Sequence, residues 1–400
     1  MIRRFNLGMK SIISKWVADI PQSGIREIYH EALELENVIH LEIGDPDFST
    51  PREIIDAAYE ALLKGYTHYT HNAGLPELRE AISEYYSRRY GVYFDPEKHI
   101  IVTLGSTEGL FLTLLAVLEP GEEVLIPDPG YPSYISMIKS ARGTIARYKL
   151  RERENFRINA SEVVSRISRR TKVVIVNNPH NPTGSITPLA TLREIARAAY
   201  EEGAILVADE VYENIVFDGI TFHSIAEAKK YSDNVVIVNS LSKTFAMTGL
   251  RIGFVLSTNE ELIRTMVRMQ EGVASCAPAS FQVAAARALR EYMSLAAEMT
   301  KEYERRRDEL IKVLRDFPEV SFVKPEGTFY LFLNVSEFTA DTRSFAKELL
   351  REERVAVAPG SAFGPNGEGY VRLSYATSVE NVVEGAKRLV RYLQRIKRRA

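Results

Sequence analysis

The sequence predicts an α/β protein: a larger part built on a mainly parallel central sheet, followed by a smaller α/β unit. Three observations carry this. Short apolar runs at 100–104, 123–126, 173–177, 205–209, 235–239 and 252–256 alternate with helical patterns, the signature of βαβ units. The runs are four to five residues long and strongly apolar, as buried strands are. Beyond about residue 290 the pattern changes to a charged amphipathic helix over 301–317, strands over 328–335, 355–358 and 370–375, and a last helix over 378–397. The chain divides on this pattern into an amino-terminal arm and segment (1–50), a large domain (51–290) and a small carboxyl-terminal domain (291–400). No repeat, low-complexity tract or long linker interrupts it.

Composition narrows the functional classes. With 45% apolar and 26% charged residues, the 400-residue chain is that of a soluble globular protein. A net charge of −2 offers no electrostatic footprint for nucleic acid. No apolar stretch approaches membrane-spanning length. The single cysteine, Cys276, excludes an intrachain disulfide and a Cys-based zinc site, and suits a reducing cytoplasm. The basic stretch 1–15 lacks the long apolar run of a signal peptide; it reads as an arm or an overlong start, with Met9 as an alternative initiator.

The chemistry is concentrated where strands end. The run 235–238 leads into Asn239-Ser240-Leu241-Ser242-Lys243, and Arg251 follows eight residues on. A lysine amine forms Schiff bases with carbonyl compounds, while hydroxyls and a guanidinium fork receive a phosphate. The strand 205–209 ends in Asp209, with Tyr212 three residues later. A carboxylate there points into the ligand crevice of an open α/β sheet and can keep a pyridine nitrogen protonated. Taken singly, Asp209 also reads as a helix N-cap and Tyr212 as a core tyrosine. The strand 173–177 runs into Asn178-Pro179-His180-Asn181-Pro182-Thr183-Gly184, a rigid turn that presents the Asn181 amide. Gly105-Ser106-Thr107, after the strand 100–104 and before the apolar run 110–118, is a small-residue turn entering a helix, and so an anion site.

In this order (Asn-Pro-Thr-Gly, Asp-Glu-x-Tyr, Ser-x-Ser-Lys, then Arg) the set resembles the class I/II aminotransferases of pyridoxal 5′-phosphate (PLP) fold type I, particularly prokaryotic aspartate and aromatic aminotransferases. The resemblance spans nearly the whole chain and includes the segments 41–48, 69–79 and 370–374. It implies that Lys243 carries the cofactor and moves the substrate proton, that Asp209 holds the pyridine nitrogen, and that Asn181 and Tyr212 bond the ring oxygen. It implies further that Tyr131 stacks on the ring and that Gly105, Ser106, Thr107, Ser240, Ser242, Arg251 and Tyr69 receive the phosphate. One hydroxyl of the Ser240–Ser242 pair is expected only to shape its turn. Arg372 is the implied clamp for the substrate α-carboxylate, with Gly44 adding a backbone N–H. The family's equivalent of Tyr69 serves the partner subunit's site, so a homodimer with shared active sites follows. Residues before about 50 are expected to pack on the small domain. No metal is implied.

The expected reaction is ping-pong transfer of an amino group from an L-amino acid to a 2-oxo acid, 2-oxoglutarate being the natural acceptor, through pyridoxamine phosphate. The rivals are another fold type I activity, such as a C–S lyase or a cyclopropane-forming synthase, and a PLP-binding regulator. The last calls for an added DNA-binding domain and a basic patch; the stretch before Gly44 is short for the first, and the second is lacking. No Gly-x-Gly-x-x-Gly turn supports a dehydrogenase, and Lys243-Thr244-Phe245 does not continue as a β-lactamase signature would. The stretch 270–276 has no basic residue to select a side-chain carboxylate, so aspartate, aromatic and broad specificity all remain open.

Overall fold

Burial of those apolar runs organises the molecule. The computed structural model describes residues 12–18, 20–228 and 233–398; the expected alternative initiator and most of the basic arm lie outside them. In chain order the strands are β1 (Ile39–Leu41), β2 (Ile100–Thr103), β3 (Glu123–Asp128), β4 (Thr144–Lys149), β5 (Thr171–Asn177), β6 (Ile205–Asp209), β7 (Val235–Ser240), β8 (Gly253–Leu256), β9 (Ser321–Phe322), β10 (Tyr330–Asn334), β11 (Val355–Pro359) and β12 (Tyr370–Ser374). Among the described residues they form a seven-stranded sheet in the order β2, β8, β7, β6, β5, β3, β4, and a five-stranded sheet in the order β1, β11, β12, β10, β9.

The large sheet is parallel from β4 through β3, β5 and β6 to β7. Only β8 runs against its neighbours β7 and β2. Both faces are covered. In β5, Val174 and Val176 enter a core with the helices Pro76–Tyr90, Leu189–Glu201 and Ala279–Glu291. Val173 and Ile175 enter another with Gly105–Val117, Ser133–Ser140 and Glu260–Val273. That alternation is the two-residue period of a strand buried on both sides.

The structure adds to the sequence expectations in several places. β4 was not anticipated; it is the edge strand, its residues mostly half-exposed, so its sequence lacks an apolar run. The helix expected over 301–317 starts earlier, as Met293–Arg315. β1 joins the small sheet parallel to β11, and the helix Gly24–Leu33 packs beside it through Ile28.

The helix Met293–Arg315 ties the two sheets together through a buried cation. The Arg307 side chain is fully buried; it donates to both oxygens of Asp218 at 2.8 and 2.9 Å and to the Pro325 carbonyl at 3.0 Å, with its guanidinium over the Phe217 ring. Lys324 joins Asp218 from the other side at 2.9 Å. Hydrogen bonds from Arg307 hold the Asp218 carboxyl down to about 2. Asp218→Ala leaves a wholly buried guanidinium short of its bidentate partner. Because Asp218 itself is about a third exposed, the expected loss is about 1–2 kcal/mol, read as a lower urea midpoint with unchanged slope. In the wild type this contribution is full above pH 3.8 and disappears as pH falls through about 2.

Candidate active site

Parallel strands bring their carboxyl ends to one edge, and here three adjacent ends carry polar side chains. Register sets Asn177 of β5 beside Asp209 of β6, and Asp209 beside Val238 of β7. They border a cavity of about 630 Å³ at the crevice where an open α/β sheet binds ligands. Gly44, Ser106, Thr107, Tyr131, Asn181, Asp209, Tyr212, Ser240, Ser242, Lys243, Arg251 and Arg372 all line it. Gly105 stands just behind the lining. Tyr69 is 86% exposed and does not line this cavity.

Lys243 sits on the short helix Leu241–Thr244, capped by Ser240, whose hydroxyl accepts from the Ser242 N–H at 3.1 Å. The lysine Nζ donates to the Gly44 carbonyl at 2.6 Å and lies 5.8 Å from the Phe329 ring centre. No carboxylate contacts it among the described residues. Burial therefore lowers its pKa to about 8; Asp45 opposes the shift, while Arg372 and Arg251 add to it. Asp209 is the counterpart. Its Oδ2 accepts from the Tyr134 hydroxyl at 2.7 Å, but its buried Oδ1 has no partner. Burial raises its pKa to about 6 against the hydrogen bonds of Tyr134 and the Val211 backbone. A buried acceptor left unpaired is costly, so the site is chemically incomplete without a donor at that oxygen.

An anion cradle stands at the start of helix Gly105–Val117. Arg251, at a φ of 58°, locks its guanidinium there, donating to Thr248 O and Leu104 O at 2.9 Å each. A Cβ on Gly105 would fall 2.4 Å from that guanidinium, and one on Gly253 would fall 2.6 Å from the Ser106 nitrogen, so both close approaches require glycine. Ser240 Oγ donates to Ile252 O at 2.9 Å and caps the helix, so Ser240 is the hydroxyl that shapes the turn. Ser242 Oγ lies 2.8 Å from it at the cavity wall.

The opposite wall belongs to the small sheet. Arg372 of β12 is buried between the rings of Tyr330 and Phe363, 4.1 and 4.9 Å from their centres. It donates to Asn181 Oδ1 at 3.1 Å and to the Glu42 carbonyl, and its Nε is unpartnered. Because Asn181 accepts through Oδ1, its Nδ2 hydrogens stay available. Asn181 N is pinned by Asn177 Oδ1 at 2.7 Å. The Tyr212 and Tyr330 hydroxyls are 3.0 Å apart. A Cβ on Gly44 would sit 1.7 Å from the Tyr330 hydroxyl, so that position is restricted to glycine by contact rather than by turn geometry.

Sequence reasoning missed Tyr134, Tyr330, Asn177 and Thr248. Tyr330 lies within the predicted strand 328–335 and Tyr134 in no predicted element, and nothing local separates either from a core tyrosine. Asn177 ends the predicted strand 173–177 and carried no expected role. Among the described residues, no group of three or more His, Cys, Asp or Glu side chains could hold a metal, and no helix is long and apolar enough to cross a membrane.

A desolvated amine, a half-paired carboxylate and an anion cradle in one α/β crevice fit a phosphorylated carbonyl compound, the cofactor class of transaminating enzymes. The sequence profile of aminotransferase class I and II matches residues 36–389, so the chain belongs to that family and is an aminotransferase with the fold type I architecture. The chain is 40% identical over 387 residues to an aspartate aminotransferase of Pyrococcus horikoshii, covering 96% of this chain and 98% of that one. It is 40% identical over 374 residues to aromatic-amino-acid aminotransferase 2 of Thermococcus litoralis, covering 93% and 96%. Among solved structures, it is similar to an aspartate aminotransferase from Thermus thermophilus with maleate, at a TM-score of 0.90 and 36% identity over 96% of this chain and 100% of that one.

The Lys243 environment makes a prediction for the ligand-free protein. Acylation of Lys243, followed by peptide mass spectrometry across pH, is expected to rise with a midpoint near 8. A midpoint near the ordinary 10.5 would mean the amine is solvated.

Proposed function

We propose that this aminotransferase uses PLP to move the amino group of acidic and aromatic L-amino acids to a 2-oxo acid, 2-oxoglutarate being the natural acceptor, in a ping-pong exchange. The observation that carries this reading is that Lys243 and Asp209 line the same cavity, both desolvated, without pairing to each other. Aspartate and aromatic relatives at similar identity support both substrate classes, and the dicarboxylate maleate named with the Thermus structure supports the acidic one.

When bound, the cofactor supplies an aldehyde that accepts the amino group and a pyridine ring that takes up electron density. The chain's own residues do the rest. Arg251, Ser242, Ser106, Thr107 and the free N–H groups of the helix start would hold the phosphate, with Ser240 and Gly105 setting the turn and the close approach. Asp209, with its unpartnered Oδ1, would hold the pyridine nitrogen and keep a proton there. Tyr212 and the Asn181 amide would donate to the ring oxygen, and Tyr131 would pack on the ring. Arg372 grips the substrate α-carboxylate as a bidentate fork, helped by the backbone at Gly44, and so orients the α-hydrogen. Lys243 Nζ takes that proton and returns it; an amine titrating near 8 can do both at neutral pH.

Several wider expectations belong to this reading. The exposure of Tyr69 supports a homodimer in which that tyrosine reaches the partner's phosphate site. The two sheets support a working division into a large domain over 51–290 and a small one over 291–400; of the expected packing of residues 1–50 on the latter, the stretch 24–41 supports it, whereas the helix Lys15–Ala18 lies against Ser133–Ser140 of the large domain. A single free cysteine supports a cytoplasmic location.

The test is a panel of half-reactions with Asp, Glu, Phe, Tyr, Ala and kynurenine, read by visible absorbance and oxo-acid formation. Stoichiometric 2-oxo acid without ammonia is expected. Pyruvate with ammonia would identify a lyase, and no visible cofactor band would identify a protein that does not use PLP. Lys243→Ala is expected to lower turnover by at least about 10³-fold, within the range set by loss of a positioned base and of covalent attachment.

A further inference from the structure

Four cationic side chains line the cavity, and three already have partners within the protein and roles in the reading above. Lys243 donates to Gly44, Arg251 to Thr248 and Leu104, and Arg372 to Asn181 and Glu42. The fourth, Arg26, is exposed at the mouth. Among the described residues its side chain enters no hydrogen bond or ion pair; its close neighbour is the Tyr29 ring, 5.7 Å from Cζ to ring centre. A guanidinium that borders a substrate cavity and is spent on nothing inside the protein is available to a ligand.

The helix that carries it is firmly seated. In Gly24–Leu33, Glu27 pairs with Lys347 at 2.6 Å and with Arg343, and Glu31 with Lys347 at 2.9 Å and Arg351 at 3.1 Å. Ile28 is buried in the small-sheet core. Arg26 and Tyr29, three residues apart, share the helix face that borders the cavity, and Ile25 borders it too. This helix lies against β11, the neighbour of β12 that carries Arg372. The α-carboxylate clamp and Arg26 therefore belong to the same structural unit.

We propose that Arg26 determines specificity for acidic substrates, its guanidinium receiving their side-chain carboxylate while Tyr29 and Ile25 on the same helix receive aromatic side chains. The inference rests on the transamination reading above. It resolves what the sequence left open: the stretch 270–276 has no basic residue, and the cation comes instead from a helix at the opposite end of the chain. The planar fork suits a carboxylate, and its exposure makes the attraction screened and moderate.

The test compares kcat/KM for half-reactions with Asp, Glu, Phe and Tyr in the wild type, Arg26→Gln and Arg26→Lys, with thermal midpoints to verify folding. In Arg26→Gln the Asp-to-Phe ratio is expected to fall about tenfold, as for loss of one partly exposed charge-assisted pair. Arg26→Lys should recover part of it, and added salt should narrow the wild-type ratio but not that of Arg26→Gln. A ratio that stays put, or equal losses on both classes, would overturn the proposal. A wild type that transaminates aromatic but not acidic donors would overturn it alone, leaving transamination intact; a wild type that forms oxo acid from no donor would overturn both.

Discussion

The site depends on a half-buried lysine and a buried aspartate that share one crevice and are kept from each other. Had Lys243 and Asp209 met, they would have formed an internal ion pair, each holding the other charged, and the crevice would be chemically closed. Instead Lys243 spends its hydrogen bond on a neutral carbonyl, and Asp209 takes one from a neutral hydroxyl. Desolvation then drives both toward their neutral forms, the amine down to about 8 and the carboxyl up to about 6. That arrangement suits a molecule that offers a carbonyl to one group and a proton donor to the other.

The scaffold maintains the separation through strand order. β6 and β7 are neighbours in parallel register, so Asp209 emerges at the sheet edge. β7 runs on through Ser240 into a capped turn that carries Lys243 beyond the edge. The small sheet closes the opposite side with Arg372, whose guanidinium is held flat between two aromatic rings. Tyr330 joins the two sides. Its ring supports Arg372, its hydroxyl meets that of Tyr212, and the same hydroxyl excludes any side chain from Gly44, the residue whose carbonyl receives Lys243.

What could be read in the sequence follows from the range of the interactions. The central strands were legible because a parallel strand covered on both faces must be apolar throughout, as Val173 to Val176 are. The direction of β8 was not, since a four-residue apolar run reads alike in either direction, and β4 escaped because an edge strand is only partly buried. Lys243, Asp209 and Asn181 were legible because Asp209 ends an apolar strand and the other two follow one within four residues, where polar residues after an apolar run stand out. Tyr134 and Tyr330 were not: their partners Asp209 and Tyr212 are 75 and 118 residues away. Arg26 was hidden for a different reason, since one arginine on an amphipathic helix looks like any solvated charge until the helix is seen at the cavity mouth.

The polar groups behind the crevice show why its own unpaired atoms are informative. Glu213 is buried yet accepts from Asn239 at 2.8 Å, from Tyr85 at 3.0 Å and from Tyr90. Asn239 Oδ1 in turn holds the Ser240 N–H at 2.7 Å. Glu210, pushed up to about 8 first by burial and then by Glu213, is still satisfied by Ser224 and the Ile225 N–H. These groups fix the ends of β6 and β7 from within, with hydrogen bonds assigned to each carboxylate. Against that pairing a few residues away, Asp209 Oδ1 and Arg372 Nε are buried without a partner. Both unpaired atoms belong to side chains that line the cavity, one an acceptor from the large sheet and one a donor from the small sheet. A molecule that complements both atoms presents a donor to the first and an acceptor to the second.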